Sequence, residues 1–98
     1  MRAYYVAEHM ITDPEKFEEY RGKVLPMIEK YGGRYLTKGG SHRFPEQPHW
    51  KPERAVVIEF PDMNSLDAWY TSAEYQPLMK LRKDATSAQD MVIILEGV

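Results

Sequence analysis

Apolar positions run almost unbroken through "RAYYVAEHMI" (Arg2–Ile11), and its aromatic and β-branched residues predict a strand. One face would carry Tyr5, Ala7, His9 and Ile11, the other Tyr4, Val6, Glu8 and Met10. Neither face is purely polar, so both are expected to be covered. The pattern then changes. Phe17, Tyr20, Val24, Met27 or Ile28, and Tyr31 recur at helical spacing. "TDPE" opens this helix, either as a capping box from Thr12 to Glu15 or as Asp13 capping ahead of Pro14. Pro26 lies inside the helix, where its ring meets the carbonyl of Gly22, and a kinked single helix is expected.

Gly32-Gly33 ends the helix, since a glycine just past a helix takes the left-handed cap conformation without steric cost. "RYLTK" is the second strand, with Arg34, Leu36 and Lys38 on one face and Tyr35 and Thr37 on the other. Gly39-Gly40 releases the chain into "SHRFPEQPHWKPE", whose prolines make it a long hairpin excursion and not a central strand. "RAVVIEF" (Arg54–Phe60) is the third strand. A second helix opens near Asp62 or Asn64, breaks, and restarts at a capping box from Thr71 to Glu74, running on through Leu78, Leu81 and Ala85. "DMVIILEGV" closes the chain as the fourth strand. The order β-α-β-β-α-β is the ferredoxin-like unit, an α+β fold with one four-stranded antiparallel sheet of order four-one-three-two. A single domain over residues 1–98 is expected at this length.

Composition narrows the functional classes. A formal net charge of −2 lacks the concentrated basic surface that nucleic acid or an anionic membrane would require. The absence of cysteine removes disulfides, thiolate metal sites and cysteine nucleophiles. No apolar run reaches membrane-spanning length, no signal-peptide order is read, and the cytoplasm is the expected location. No cofactor is expected. His9, His42 and His49 have no short metal-ligand spacing, so no metal site is expected. His9 reads as a packed or interface histidine before it reads as a base.

Candidate chemistry centres on Glu59, set among apolar residues of the third strand. With the two central strands taken as parallel neighbours, Glu8 and Glu59 would approach each other near the strand ends. Glu59 is the candidate base, with Arg82 or Lys38 holding a developing negative charge. The bland alternative makes Glu59 a structural ion-pair partner of Lys38 or Arg82, or merely an exposed carboxylate. Arg34 joins the binding set, and so do Trp69 and Tyr75, which flank the helix break as pocket walls or as core.

"TDPEKFEEY", "YGGRYLTKGG", "ERAVVIEFPD", "AWYTSAEYQPLMKLRKDAT" and "VIILEG" together resemble the domain-of-unknown-function 1330 family, over nearly the whole chain. That resemblance implies the dimeric α/β-barrel superfamily, in which sheets of ferredoxin-like monomers pair face to face, and hence a homodimer. Superfamily relatives include cofactor-free monooxygenases, muconolactone isomerase and haem-handling enzymes. Positions that match the family's recurrent residues are Arg34, Glu59, Phe60, Tyr75 and Arg82. Lys38 departs from the arginine common there, which weakens bidentate oxyanion binding. The excursion also lacks a glycine often seen in it. The resemblance implies a cofactor-independent enzyme, of oxygenase or isomerase type, acting on a small aromatic or enolisable metabolite. The alternative is a non-catalytic small-molecule-binding or accessory protein.

Overall fold

The computed structural model describes residues 1–46, 49 and 51–98. Its elements are β1 (Ala3–His9), α1 (Pro14–Lys30), β2 (Arg34–Lys38), β3 (Arg54–Phe60), α2 (Met63–Tyr70), α3 (Gln76–Asp84) and β4 (Met91–Glu96). The strands form one sheet in the order β2-β3-β1-β4, with every neighbouring pair antiparallel. The ferredoxin-like order is as expected. The parallel pairing of the central strands is not: Glu59 lies opposite Tyr4 and Glu8 opposite Ala55, so the two carboxylates stand at opposite ends of the β1–β3 ladder.

The ends of α1 follow from local chemistry. Asp13 caps it, its side chain accepting from the Lys16 amide at 3.1 Å, and Pro14 takes the first turn, where its missing N–H is not needed. At the other end Gly32 adopts φ 84°, the Gly32 amide donates to the Glu29 carbonyl, and the Gly33 amide donates to the Ile28 carbonyl. This is the Schellman closure, which satisfies carbonyls the helix leaves open. Pro26 lies within one continuous helix. The restart before α3 differs from expectation. Thr71 donates its hydroxyl to the Asp67 carbonyl, Glu74 accepts from Lys30 and Tyr31, and it is Ser72 Oγ that accepts the Tyr75 amide. The Thr71–Glu74 capping box is therefore absent.

All helices cover one sheet face. Ala3, Tyr5, Ala7 and His9 of β1 and Val56, Ile58 and Phe60 of β3 point into it, against Phe17, Tyr20, Val24 and Ile28 of α1, Leu66 and Trp69 of α2, and Tyr75 and Leu78 at α3. The other face has no helix. It presents Met91, Ile93 and Leu95 of β4, each close to half exposed, beside the half-buried Val6 and Val57.

The register of β2 against β3 shifts between Tyr35 and Thr37, leaving Leu36 as an extra residue. An inserted residue reverses the alternation beyond it. Arg34 therefore stands beside Glu59 on the open face, while Lys38 stands beside Val56 and joins Tyr35 on the helix-covered face. The expected grouping of Arg34, Leu36 and Lys38 on one face fails for this reason. Of the long excursion, Gln47, Pro48 and Trp50 lie outside the described residues.

Candidate functional site

Between α1 and the helix-covered face of β1, β3 and β2 lies a cavity of about 250 Å³. Its walls are largely aromatic and aliphatic: Phe17, Tyr20 and Leu25 from α1, Tyr5 from β1, Val56 and Ile58 from β3, and Tyr35 from β2. Polar groups gather at one end, where the C-terminal end of β1 meets the start of β3 and the end of β2. His9, Arg54 and Lys38 line the cavity there, with Glu18 and Arg21 of α1 across from them. An apolar chamber with a few converging polar groups is the usual construction of a small-molecule site.

His9 is 3% exposed. Its Nδ1 lies 2.8 Å from Asp90 Oδ2, and the other carboxylate oxygen of Asp90 accepts the Met10 amide at 2.8 Å. Both groups owe their meeting to antiparallel pairing. Glu8 lies opposite Met91 in the β1–β4 ladder, which brings the next residue of one strand beside the previous residue of the other. Asp90 accepts only, so Nδ1 carries the hydrogen of the neutral ring. Nε2 then bears the lone pair, and it has no hydrogen-bond partner among the described residues. The ring is held edge-on to Phe17, with centroids 5.3 Å apart. Burial lowers the His9 pKa from its ordinary 6.5; Asp90 opposes this, and the charges of Arg82 and Arg54 add to the lowering. The imidazole is thus neutral at pH 7, an oriented base on the wall of the cavity.

The tyrosines remain phenols. Burial raises Tyr5 and Tyr20 well above the usual tyrosine value, and it pushes Tyr35 up to about 12. Tyr20 and Tyr75 share a hydrogen bond of 2.9 Å, while the Tyr5 hydroxyl is buried without a partner.

The residues singled out in the sequence fall in three places. Glu59 is on the open sheet face, its side chain 12% exposed, with Arg34 Nε at 2.9 Å, Tyr4 Oη at 3.0 Å and Arg2 Nε at 3.6 Å. Burial works against its charge, and the hydrogen bonds from Arg34 and Tyr4 more than offset that, so its pKa is lowered. The stability this carboxylate lends is present above its unfolded pKa near 4.5 and is lost as pH falls through the lower folded value. Glu59 pairs with neither Lys38 nor Arg82, because the sheet stands between them. Lys38 lines the cavity, its Nζ 5.4 Å from the Tyr35 ring centroid. Trp69 and Tyr75 are fully buried in the core and do not line the cavity. Arg82 is 3% exposed, with Nε unpartnered and no carboxylate within ion-pair distance among the described residues. It borders a second hollow together with Asp90, Lys83 and Thr86.

Asp90, Arg54, Tyr5 and Tyr20 were not among the expected site residues. Their signal was the antiparallel strand order itself, which puts Asp90 and Arg54 on either side of His9. His42 and His49 line neither hollow, and among the described residues no group of acids and histidines could hold a metal ion. No helix is long and apolar enough to cross a membrane among those residues.

No curated protein matches this chain in sequence. Solved structures share its fold at low identity. A protein of unknown function from Rhodopseudomonas palustris superposes with a TM-score of 0.81 at 15% identity, over 99% of this chain and 82% of that one. A dimeric ferredoxin-like protein of unknown function from a Jannaschia species gives 0.77 at 16% identity, over 99% and 100%. SnoaB, a cofactor-independent oxygenase from Streptomyces nogalater, gives 0.65 at 9% identity, over 99% and 93%. The model of the domain of unknown function DUF1330 matches residues 2–98, and the chain belongs to that family.

Proposed function

We propose that this protein is a small enzyme that removes a proton from an aromatic or enolisable metabolite bound in the cavity between α1 and the sheet. The observation that carries this reading is the buried Asp90–His9 pair whose ring forms part of the cavity wall. A binding protein has no need of a histidine fixed in one tautomer with its lone pair unengaged, whereas a general base does. His9 Nε2 takes the proton from a phenolic O–H or an activated C–H. Asp90 stabilises the imidazolium that forms, in the orienting role a carboxylate plays beside a catalytic histidine. The Arg54 and Lys38 cations make the polar end of the cavity positive, a field that favours the anion left behind. Return of the proton to a different carbon gives an isomerase. Reaction of the anion with dioxygen gives an oxygenase, the activity of SnoaB.

Proton handling in this reading belongs to His9 and not to Glu59. The charge of Arg82 helps keep the imidazole neutral. The reading predicts a pH profile. Activity requires neutral His9, so the rate of deuterium uptake from D₂O into an enolisable probe should rise with pH and level off below 6.5. An acid limb at or above 6.5, or no pH dependence, would count against His9 as the base.

The helix-free sheet face is proposed as the contact with a second copy of this chain, closing the two sheets into an α/β barrel. Met91, Ile93, Leu95 and Leu36 are large apolar side chains about half exposed on β4 and β2, and the Jannaschia structure is described as dimeric. Sedimentation should report a dimer at micromolar concentration, and Ile93→Glu should shift it to monomer. A wild-type monomer would overturn the pairing.

A further inference from the structure

The cavity carries more positive charge than proton abstraction needs. Of the ionisable groups at its polar end, Glu18 is engaged by Arg21 at 3.5 Å. Arg54 and Lys38 have no carboxylate within ion-pair distance among the described residues, although the protein as a whole is net negative. Each is held over an aromatic wall: the Arg54 guanidinium carbon lies 5.2 Å from the Phe17 centroid, and Lys38 Nζ lies 5.4 Å from that of Tyr35. Arg54 is further fixed by a hydrogen bond from Nη1 to the Lys38 carbonyl at 3.2 Å.

Gly39 completes the arrangement. It sits at φ +83°, in the left-handed region, and a Cβ there would collide with Cγ of Arg54. Only glycine lets the end of β2 turn tightly against the Arg54 side chain and keep it aimed at the cavity.

The strands set the spacing. His9 lies opposite Arg54 across β1 and β3, and Lys38 lies opposite Val56 on the far side of β3. Neighbouring strands are about 4.8 Å apart, so an anion seated between Arg54 and Lys38 is roughly 5–10 Å from the His9 column. That is about the length of one substituted ring, and the cavity volume of about 250 Å³ suits a molecule of that size.

We infer that the substrate is a ring-sized carboxylic acid, its carboxylate clamped by Arg54 and Lys38 while the group that loses its proton lies against His9. The inference rests on the proposed reading of the cavity as the substrate site. It assigns Arg54 and Lys38 to substrate selection and Gly39 to positioning Arg54. Hydrogen bonds to ionised groups are stronger than neutral ones, which gives the clamp a preference for the acid over an uncharged isostere of about tenfold or more.

The test is equilibrium binding at pH 7 of 4-hydroxybenzoate and of 4-hydroxybenzamide, which keep the phenol and differ in charge. Wild-type protein should bind the acid about tenfold more tightly or better, and added salt should narrow the gap. In Arg54→Gln the ratio should fall to about twofold or less, and Lys38→Gln, altering an exposed side chain, should move it the same way without a change in fold. Gly39→Ala should lower the ratio while leaving the Phe17 and Tyr35 walls in place. His9→Gln should keep the preference for the acid even though it removes the base, which separates failure of the clamp from failure of the proposed chemistry. Equal binding of the two probes, an unchanged ratio in Arg54→Gln and Lys38→Gln, or no binding of the acid at millimolar concentration would each overturn the inference.

Discussion

Trp69→Ala is expected to destabilise the protein by about 3–5 kcal/mol, the range for emptying a buried tryptophan site. Trp69 is wholly buried, and its ring is packed against four others: Tyr75 at 4.4 Å, Tyr5 at 5.2 Å, Phe60 at 5.4 Å and Tyr70 at 5.8 Å between centroids. Those contacts tie α2 and the start of α3 to both central strands. Aromatic pairs at such spacings contribute about 0.5–1.5 kcal/mol each beyond the area they bury. The indole Nε1 is buried without a partner, a cost the wild type already bears, and this places the expected loss toward the lower end. Trp69→Phe, which also removes that N–H, should cost distinctly less than Trp69→Ala. Urea unfolding measures both. A loss under about 1 kcal/mol for Trp69→Ala would contradict the assignment of Trp69 to the core.

The second large effect concerns rate. His9→Gln should lower proton transfer to a bound substrate by about 10²–10⁴-fold, the contribution of a positioned general base. Asp90→Asn should also lower it, because an amide no longer stabilises the imidazolium and can present its NH₂ to Nδ1, forcing the other tautomer. The two variants together should cost little more than either alone, since the residues act as a unit. Deuterium exchange into an enolisable probe, followed by proton NMR, reads all of these. Rates within about twofold of wild type in His9→Gln would remove His9 from the chemistry.

Stability should respond to the same pair. A histidine whose folded pKa is lowered contributes stability that is present above its unfolded value near 6.5 and is lost as pH falls through the folded value.

Much of the fold could be read from the chain because its signals are local. Asp13-Pro14 and Gly32-Gly33 bound α1, and the alternation in "RAVVIEF" marks β3, through groups only a few residues apart. The site depended on signals of longer range. Apolar residues on both faces of β1 left no clue to which face the helices cover, so the side of the sheet on which Glu59 stands was undetermined. The bulge at Leu36 moved Lys38 across the sheet, and a one-residue insertion has no mark in a five-residue strand. His9 and Asp90 are separated by 81 positions, and only the antiparallel register brings them within 2.8 Å. Treating the central strands as parallel hid the pairing of His9 with Arg54 across β1 and β3, and it gave Glu59 a prominence its position on the open face does not support.

Selective ¹⁵N labelling of the histidines, followed by NMR titration of the ring nitrogens, tests the central claim without knowledge of the substrate. His9 should be neutral at pH 7, carry its hydrogen on Nδ1, and titrate below 6.5. A His9 that holds its hydrogen on Nε2, or that titrates above 6.5, would contradict the claim.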